Sequence, residues 1–458
     1  MSYFFISAAH KSSGKTTVSI GLGAALKARG MSVQPFKKGP DYIDPLWLTA
    51  ATGRSCINLD FYTMPSHEIE DEFARHIVGA DIGLIEGNKG LYDGLDLDGS
   101  NSNAALATLF DAPVILVIDA RGMTRGIAPL ILGYQAFDPD VRIQGVILNK
   151  VGGSRHEGKL RRVIEHYTDA KVVGAVHYAK DIEIDERHLG LIPSNEVEKA
   201  REQISQLGKA VGSQVDLDRV IEIAATSPNR PESTSQLSAF SGTRIRIGFP
   251  RDKAFGFYYP GDLEKLEAEG VELVEFNALA DRELPDVDGL FIGGGFPEMV
   301  MQDLEANTAM RESIRRFIDD GGPVYAECGG LMYLSRSLTW EGKRCSMVGA
   351  IPGHTVMYEK PQGRGYVRLQ ERSQMPWPRP EGGVAPEIAA HEFHYSAIEY
   401  LGEGVQFAYD VKRGAGIDGQ HDGLVYKNVL ASYTHLRDVG GNCWTQRFVD
   451  HIKACMGS

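Results

Sequence analysis

Cysteine is scarce. The 458 residues carry five, Cys56, Cys328, Cys345, Cys443 and Cys455, with no C-x-x-C pair. An odd count with no framework excludes a disulfide-stapled scaffold and fits a reducing cytosol, so a cytoplasmic protein is expected. Positive charge is also short, with 48 Lys and Arg against 61 Asp and Glu, a net charge of -13. A non-specific nucleic-acid binder needs a basic field, so nucleic acid is not an expected partner. Small anionic ligands stay open, because a local site overrides net charge. Long apolar runs are missing as well. No stretch approaches the length of a membrane span, and "MSYFFISAAH" has too short an apolar run and no basic segment for a signal peptide. No internal repeat is visible. What remains is an ordinary globular composition, too long for one core, and two or more domains are expected.

Short apolar runs alternate with longer periodic segments. "YFFISAA", "DIGLIEG", "PVILVIDA" and "GVILNKV" read as buried strands, each ending in small or polar residues. Helix-like segments such as Thr16 to Arg29 lie between them. The alternation predicts an α/β fold, a parallel sheet with helices on both faces. "TSPNRPESTSQLSAFSGT", starting at Thr226, is rich in Ser, Pro and Thr and reads as a linker. The α/β pattern then restarts with "RIRIGFP", "GLFIGGGFPE" and "PVYAECGG". The expected division is a first domain over 1–225, a linker over 226–242 and a second domain over 243–458.

"ISAAHKSSGKTT" follows a strand and opens a helix, the context of a phosphate-binding loop. Its tail is intact as Gly14, Lys15 and Thr16, followed by Thr17. The leading glycine is replaced by Ala9, which is tolerable if φ there is negative. Backbone N–H groups and the helix N-terminus would cradle phosphates. Lys15 would reach the β- and γ-phosphates of ATP, and Thr16 would ligate Mg²⁺. Glu86 closes the strand of "LIEGNKGLYDG", where an acid would hold the metal, with Asp93 close behind. "GVILNK" reaches Asn149, whose amide either reads adenine or caps a turn. "PFKKGPDYIDP" sets Asp41 and Asp44 between prolines beside Lys37 and Lys38. The prolines read as ruling out a regular helix and fixing a rigid turn. Clustered acids and bases in a stiff loop suit Mg²⁺ and an anionic substrate. The metal set expected is Thr16, Asp41 and Glu86.

"PVYAECGGLMYL" runs strand, Cys328, two glycines, helix, the layout of a nucleophile elbow. A helix N-terminus is expected to lower the thiol pKa. Gly329 would offer an unobstructed N–H to an oxyanion, with Gly294 or Gly295 of "FIGGGFPE" offering another. "ASYTHLRD" supplies His435 as the base. The competing reading of Cys328 alone is a buried structural thiol.

Taken in order, "SSGKTT", "KKGPDYIDP", "GRSCINLD", "IEGNKGLYDG", "ERHLGL", "IGGGFPE", "AECGGLMYL", "HEFHYS" and "SYTHL" resemble the cobyrinic acid a,c-diamide synthases over nearly the whole chain. The resemblance implies a dethiobiotin-synthetase-like P-loop domain followed by a class I glutamine amidotransferase domain. It implies ATP- and glutamine-dependent amidation of the a and c acetates of a corrinoid, through acyl phosphates that ammonia attacks. It implies Asp41, Asp44, Glu86 and Asp93 in metal, ATP and substrate handling, and Cys328 and His435 in glutamine hydrolysis. Close relatives amidate sirohydrochlorin, its nickel complex or sirohaem, which share those acetates, so the macrocycle stays open. Many class I amidotransferases carry Glu two residues after the histidine, and this family commonly lacks it. Here the position is Arg437, and the third member of the site stays unassigned, with Glu392 of "HEFHYS" one candidate. A regulatory P-loop ATPase or a non-catalytic tetrapyrrole-binding protein would need no positioned thiol. The state of assembly, a homodimer included, stays open.

Overall fold

A computed structural model of the chain describes residues 1–178, 184, 186–187, 190–195, 199–229, 245–379, 387–402 and 405–457. The chain divides into two compact units, Met1–Gln236 and Leu237–Ser458. Most of the expected linker, and His188 and Leu189 of the "ERHLGL" motif, lie outside the described residues.

The first unit is built on seven parallel strands: β1 (Ser2–Ala8), β2 (Val33–Lys38), β3 (Ile57–Leu59), β4 (Ile82–Glu86), β5 (Val114–Asp119), β6 (Ile143–Val151) and β7 (Val172–His177). Their order is β3-β2-β4-β1-β5-β6-β7. Helices on both faces explain why β5 is buried at every position and reads as a continuous apolar run. The charged residues Lys37, Lys38 and Glu86 sit where β2 and β4 end, at one rim of the sheet. Pairing sets Glu86 beside Ile6 of β1 and beside Lys37 of β2. The helix α1 (Lys15–Ala28) starts just past β1 at that rim. Ligands of open α/β sheets bind there, outside the carboxyl ends of the strands.

One expectation needs correction. "PFKKGPDYIDP" is not a single rigid turn. Pro35–Lys38 belong to β2, and α2 (Ile43–Thr52) begins five residues later with Pro45 in its first turn. Proline is compatible with a helix there, because first-turn N–H groups have no intrahelical acceptor.

The second unit carries a nine-stranded mixed sheet. In spatial order its strands are Val271–Phe276, Ile245–Pro250, Gly289–Ile292, Val324–Glu327, Val429–Ser432, His421–Tyr426, Gln406–Arg413, Gly363–Glu371 and Glu387–His394. The first five run parallel and the rest antiparallel. The sheet curls, because its last strand returns to bridge His391 to His435 beyond the fifth strand. Tyr325, Trp377, Trp444 and Phe448 pack against one another in edge-on, tilted and stacked pairs. Each such ring contributes roughly 1.5–3 kcal/mol by leaving water, which anchors the strand that ends in Glu327, directly before Cys328.

Candidate active sites

The loop after β1 is held from three sides. Ala9 N–H donates to Val117 O at 3.1 Å. Tyr134 donates its hydroxyl to Ala9 O. Asn149 donates its amide N–H to Ser13 O at 2.8 Å. Asn149 therefore spends an amide hydrogen on the loop. Gly14 adopts φ 81°, and a Cβ there would lie 2.2 Å from Asn149 Nδ2, so conformation and close approach both require glycine. Ala9 is not among the residues with positive φ, which explains how alanine replaces the leading glycine.

Behind the loop lies a compact cluster of charge. Glu86, fully buried, accepts through Oε1 from Thr16 Oγ1 at 2.7 Å, Lys15 Nζ at 3.1 Å and Lys37 Nζ at 3.2 Å. Thr16 Oγ1 also lies 3.2 Å from Asp44 Oδ2, and Lys37 ion-pairs with the same carboxylate. Asp41 stands further out. Its Oδ1 accepts the first-turn amides of Ile43 and Asp44 in α2, and its Oδ2 lies 3.5 Å from Lys37. Lys38, next along β2, points the other way and donates to Asn101 Oδ1.

Burial would raise both aspartates, and the outcome differs by partner. Asp41 is raised, by burial and by the Asp44 charge. Asp44 is held low, because Lys37 and Lys15 outweigh burial. Lys37 is pushed above the usual lysine range, its burial outweighed by Asp44, Glu86 and Asp41. Asp93 is exposed, accepts from Gly90 N–H at 2.9 Å, and makes none of these contacts. Thr17 lies half-buried in the first turn of α1.

The oxygen donors Thr16, Asp44 and Glu86 suit a hard cation. Glu86 Oε2 is buried with no hydrogen-bond partner among the described residues, an orphan that a cation would satisfy. No group of three or more His, Cys, Asp or Glu among the described residues forms a metal cage of its own. Magnesium fits this arrangement, since it keeps waters and binds through one or two protein oxygens plus phosphate.

In the second unit, Cys328 sits between the strand Val324–Glu327 and the helix Gly329–Leu334 with φ 45° and ψ −99°, a strained conformation of the kind functional sites store. The turn exists because both following residues are glycine. A Cβ on Gly330 would lie 2.1 Å from Ile292 O, and one on Gly329 3.0 Å from Gly295 N. The Gly329 N–H also hydrogen-bonds the thiol. Gly294 lies against the histidine, since a Cβ there would be 2.6 Å from His435 Cε1. The structure thus gathers Cys328, Gly294, Gly295, Gly329 and His435 at one place.

Two sequence expectations change here. The thiol is not lowered by its helix. Burial, then the charges of Glu298 and Glu327, push it well above the ordinary thiol range, and the Gly329 N–H opposes this only in part. Glu392 does not orient His435. It accepts from the Ala415 and Gly416 N–H groups at 2.6 and 2.9 Å. The carboxylate that meets His435 is Glu327, with Oε2 3.2 Å from Nδ1. Glu327 was not among the expected site residues. The available signal was an acid closing an apolar strand directly before the nucleophile, the same signal that singles out Glu86.

Two family models match the chain. A CobQ/CobB/MinD/ParA nucleotide binding domain covers residues 5–192, and a CobB/CobQ-like glutamine amidotransferase domain covers 246–439. A cobyrinate a,c-diamide synthase from Magnetococcus marinus is 49% identical over 446 residues, 96% of this chain and 95% of the relative. The chain belongs to the cobyrinate a,c-diamide synthase family. Members from Methanosarcina acetivorans and Listeria innocua are 43% and 37% identical, each over 95% of this chain and more than nine-tenths of their own length. In this synthase-family chain the nucleotide-binding match contains the Lys15–Glu86 cluster, and the amidotransferase match contains Glu327, Cys328 and His435. No helix among the described residues is long and apolar enough to cross a membrane.

Proposed function

We propose that this protein is a cobyrinate a,c-diamide synthase, a ligase that amidates the a and c acetate carboxylates of cobyrinic acid with ATP and glutamine. The observation that carries the reading is the pairing, in one chain, of a nucleophile turn at Cys328 with a phosphate loop backed by Lys15, Thr16 and Glu86. The full-length identity to the Magnetococcus marinus synthase supports the choice of substrate.

A carboxylate resists ammonia because its leaving group would be oxide. Phosphorylation gives that oxygen a good leaving group, so an acyl phosphate is the intermediate the chemistry calls for. Gly14 and the loop amides cradle the ATP phosphates, and Lys15 neutralises charge on the transferred group. Thr16, Asp44 and Glu86 would hold Mg²⁺, with Asp41 beyond them. When bound, the ion would supply Lewis-acid stabilisation of phosphoryl charge. Lys37, locked between Asp44 and Glu86, fixes both carboxylates. Asn149 holds the loop in register, and Asp93 is assigned to the loop that borders substrate.

In the second unit Cys328 attacks the side-chain amide of glutamine. The Gly329 N–H and that of Gly294 or Gly295 stabilise the oxyanion, and His435 hands a proton to the departing ammonia. Water then releases glutamate. A raised thiol pKa means the resting site holds a thiol, so His435 removes the proton as attack proceeds.

The test is an assay of purified protein with ATP, Mg²⁺, glutamine and a panel of tetrapyrrole acids: cobyrinic acid, sirohydrochlorin, nickel sirohydrochlorin and sirohaem. Products are read by mass and by chromatographic charge, because one amidation changes mass by only about one unit. Two amidations of cobyrinic acid are expected. Turnover restricted to another macrocycle refutes the substrate, and Cys328→Ala retaining glutamine-dependent activity refutes the glutamine site.

A further inference from the structure

Glu327 is the last residue of its strand and nearly fully buried. A carboxylate in that place needs partners for both oxygens, and it has three. Oε1 accepts from Tyr325 OH at 2.5 Å and from the Leu436 N–H at 2.9 Å. Oε2 faces His435 Nδ1 at 3.2 Å. Tyr325 lies two residues back, on the same face of the strand. Parallel pairing of Glu327 with Ser432 brings the segment through His435 alongside. One carboxylate thus ties the residue before the nucleophile to the imidazole and to the amide that follows it.

We propose that Glu327 is the positioning carboxylate of the glutamine site, placed directly before the nucleophile rather than after the histidine. This rests on the reading of Cys328 as the glutamine nucleophile. A carboxylate at Nδ1 selects the tautomer protonated there and leaves Nε2 free to act as base. Proton flow then balances. The Cys328 S–H proton passes to Nε2 as the S–C bond forms. Nε2–H returns it to the amide nitrogen as the C–N bond breaks and ammonia leaves. Water, deprotonated by the same nitrogen, cleaves the thioester to glutamate and restores the thiol. In each half the imidazolium forms transiently next to the Glu327 charge.

His391, Tyr259 and Arg437, which lie near His435, offer no carboxylate for this role. His391 stacks on the ring at 5.0 Å and 17° and joins it through backbone hydrogen bonds, but burial, with His435 and Arg437, holds it neutral. Tyr259 hydroxyl meets His391 Nδ1 at 3.3 Å. Arg437 lies over the Tyr259 ring at 4.7 Å and is a cation. Glu298 bears on the Cys328 thiol, whose pKa its charge raises.

The experiment uses full-length Glu327→Gln, Glu327→Asp and Tyr325→Phe. It measures glutamate release from glutamine across pH, with ammonium-dependent amidation as the gauge of folding. Glu327→Gln keeps the shape and removes the charge. Its kcat for glutamate release is expected to fall roughly 10²–10⁴-fold with KM for glutamine little changed. The acid limb of its pH profile should move to lower pH, because an imidazolium without its carboxylate is a stronger acid. Tyr325→Phe deletes a hydrogen bond to the same carboxylate and no charge, so it should cost no more than about tenfold and leave the limb in place. Wild-type kcat and an unmoved limb in Glu327→Gln would overturn the proposal. So would equal effects of Glu327→Gln and Tyr325→Phe, which would mark Glu327 as a structural tie. Should Glu327→Gln not fold, Glu327→Asp decides: a lowered kcat with the limb retained supports the role, and an unchanged kcat refutes it. Failure of the underlying reading looks different, since glutamate release would then survive Cys328→Ala.

Discussion

Replacing Glu86 by Gln tests the synthetase site where its charges are most tightly coupled. The side chain is fully buried and meets two ammonium groups, Lys15 at 3.1 Å and Lys37 at 3.2 Å. At an effective dielectric near 20 each contact represents about 5 kcal/mol of raw Coulomb attraction. Desolvation offsets most of that, and removing one partner of a buried pair costs roughly 3–5 kcal/mol. Lys37 keeps Asp44 and Asp41, and Lys15 reaches water, so the lower end, about 3 kcal/mol, applies. For a unit of this size that is a fall of roughly 6–12 °C in its thermal midpoint. The functional effect is separate. Glu86 Oε2 is the orphaned oxygen assigned to Mg²⁺, so the variant should need more Mg²⁺ for half-maximal rate. Turnover should drop by roughly 10²–10³-fold, the scale of losing one preorganised electrostatic contact. Amide formation is measured with ammonium chloride as nitrogen donor across a Mg²⁺ titration, which takes the glutamine site out of the measurement. An unchanged Mg²⁺ midpoint together with unchanged turnover would refute the placement of Glu86 at the phosphoryl-transfer site, whatever the thermal shift.

Lys15→Ala should abolish ATP-dependent amidation and leave glutamate release from glutamine in place. Amidation surviving in that variant would remove the phosphate loop from the mechanism. Gly330→Ala places a Cβ 2.1 Å from the Ile292 carbonyl oxygen and should distort the nucleophile turn. Glutamine-dependent amidation is then lost while ammonium still supports the reaction, and equal loss with both donors would count against a turn-specific effect. With the thiol raised by burial, iodoacetamide modification of Cys328, followed by peptide mapping, should be slow at pH 7 and still climbing at pH 9.5. A rate that has levelled off near pH 7 would mean a preformed thiolate.

Local patterns made much of this molecule legible, and long-range pairing hid the rest. The strands of the first sheet are apolar without interruption because helices cover both faces, so "PVILVIDA" announces β5 and its burial directly. Glu86 was recognisable because an acid closing such a strand, with Asp93 close behind, accompanies a phosphate loop in the same domain. The phosphate loop was recognisable because strand, glycine turn and helix are contiguous. Asn149 was harder. Its partner Ser13 is 136 residues away, and only the pairing of β6 with β5 and of β5 with β1 carries its amide to the loop. The helix α2 was lost to two prolines, because the sequence shows that proline is present but not that Pro45 falls within a first turn.

Glu327 is the sharper case. It obeys the same rule as Glu86, an acid ending an apolar strand, yet the adjacent cysteine and glycines absorbed the signal. Its meaning depends on His435, 108 residues downstream, and on a parallel pairing that no local pattern encodes. The thiol pKa failed for a related reason. The turn and its helix are local and predict a lowered value, whereas burial and the charge of Glu298 are properties of the folded unit. The two features share a physical consequence. A buried thiol flanked by carboxylates does not ionise by itself, so the site depends on a base that is held and charged at the right moment. Besides burial and Glu298, the thiolate is disfavoured by Glu327, and that same carboxylate faces the imidazole that attack would charge. Glu327 therefore opposes ionisation of the empty site and supports it in the transition state, which ties thiol reactivity to bound glutamine.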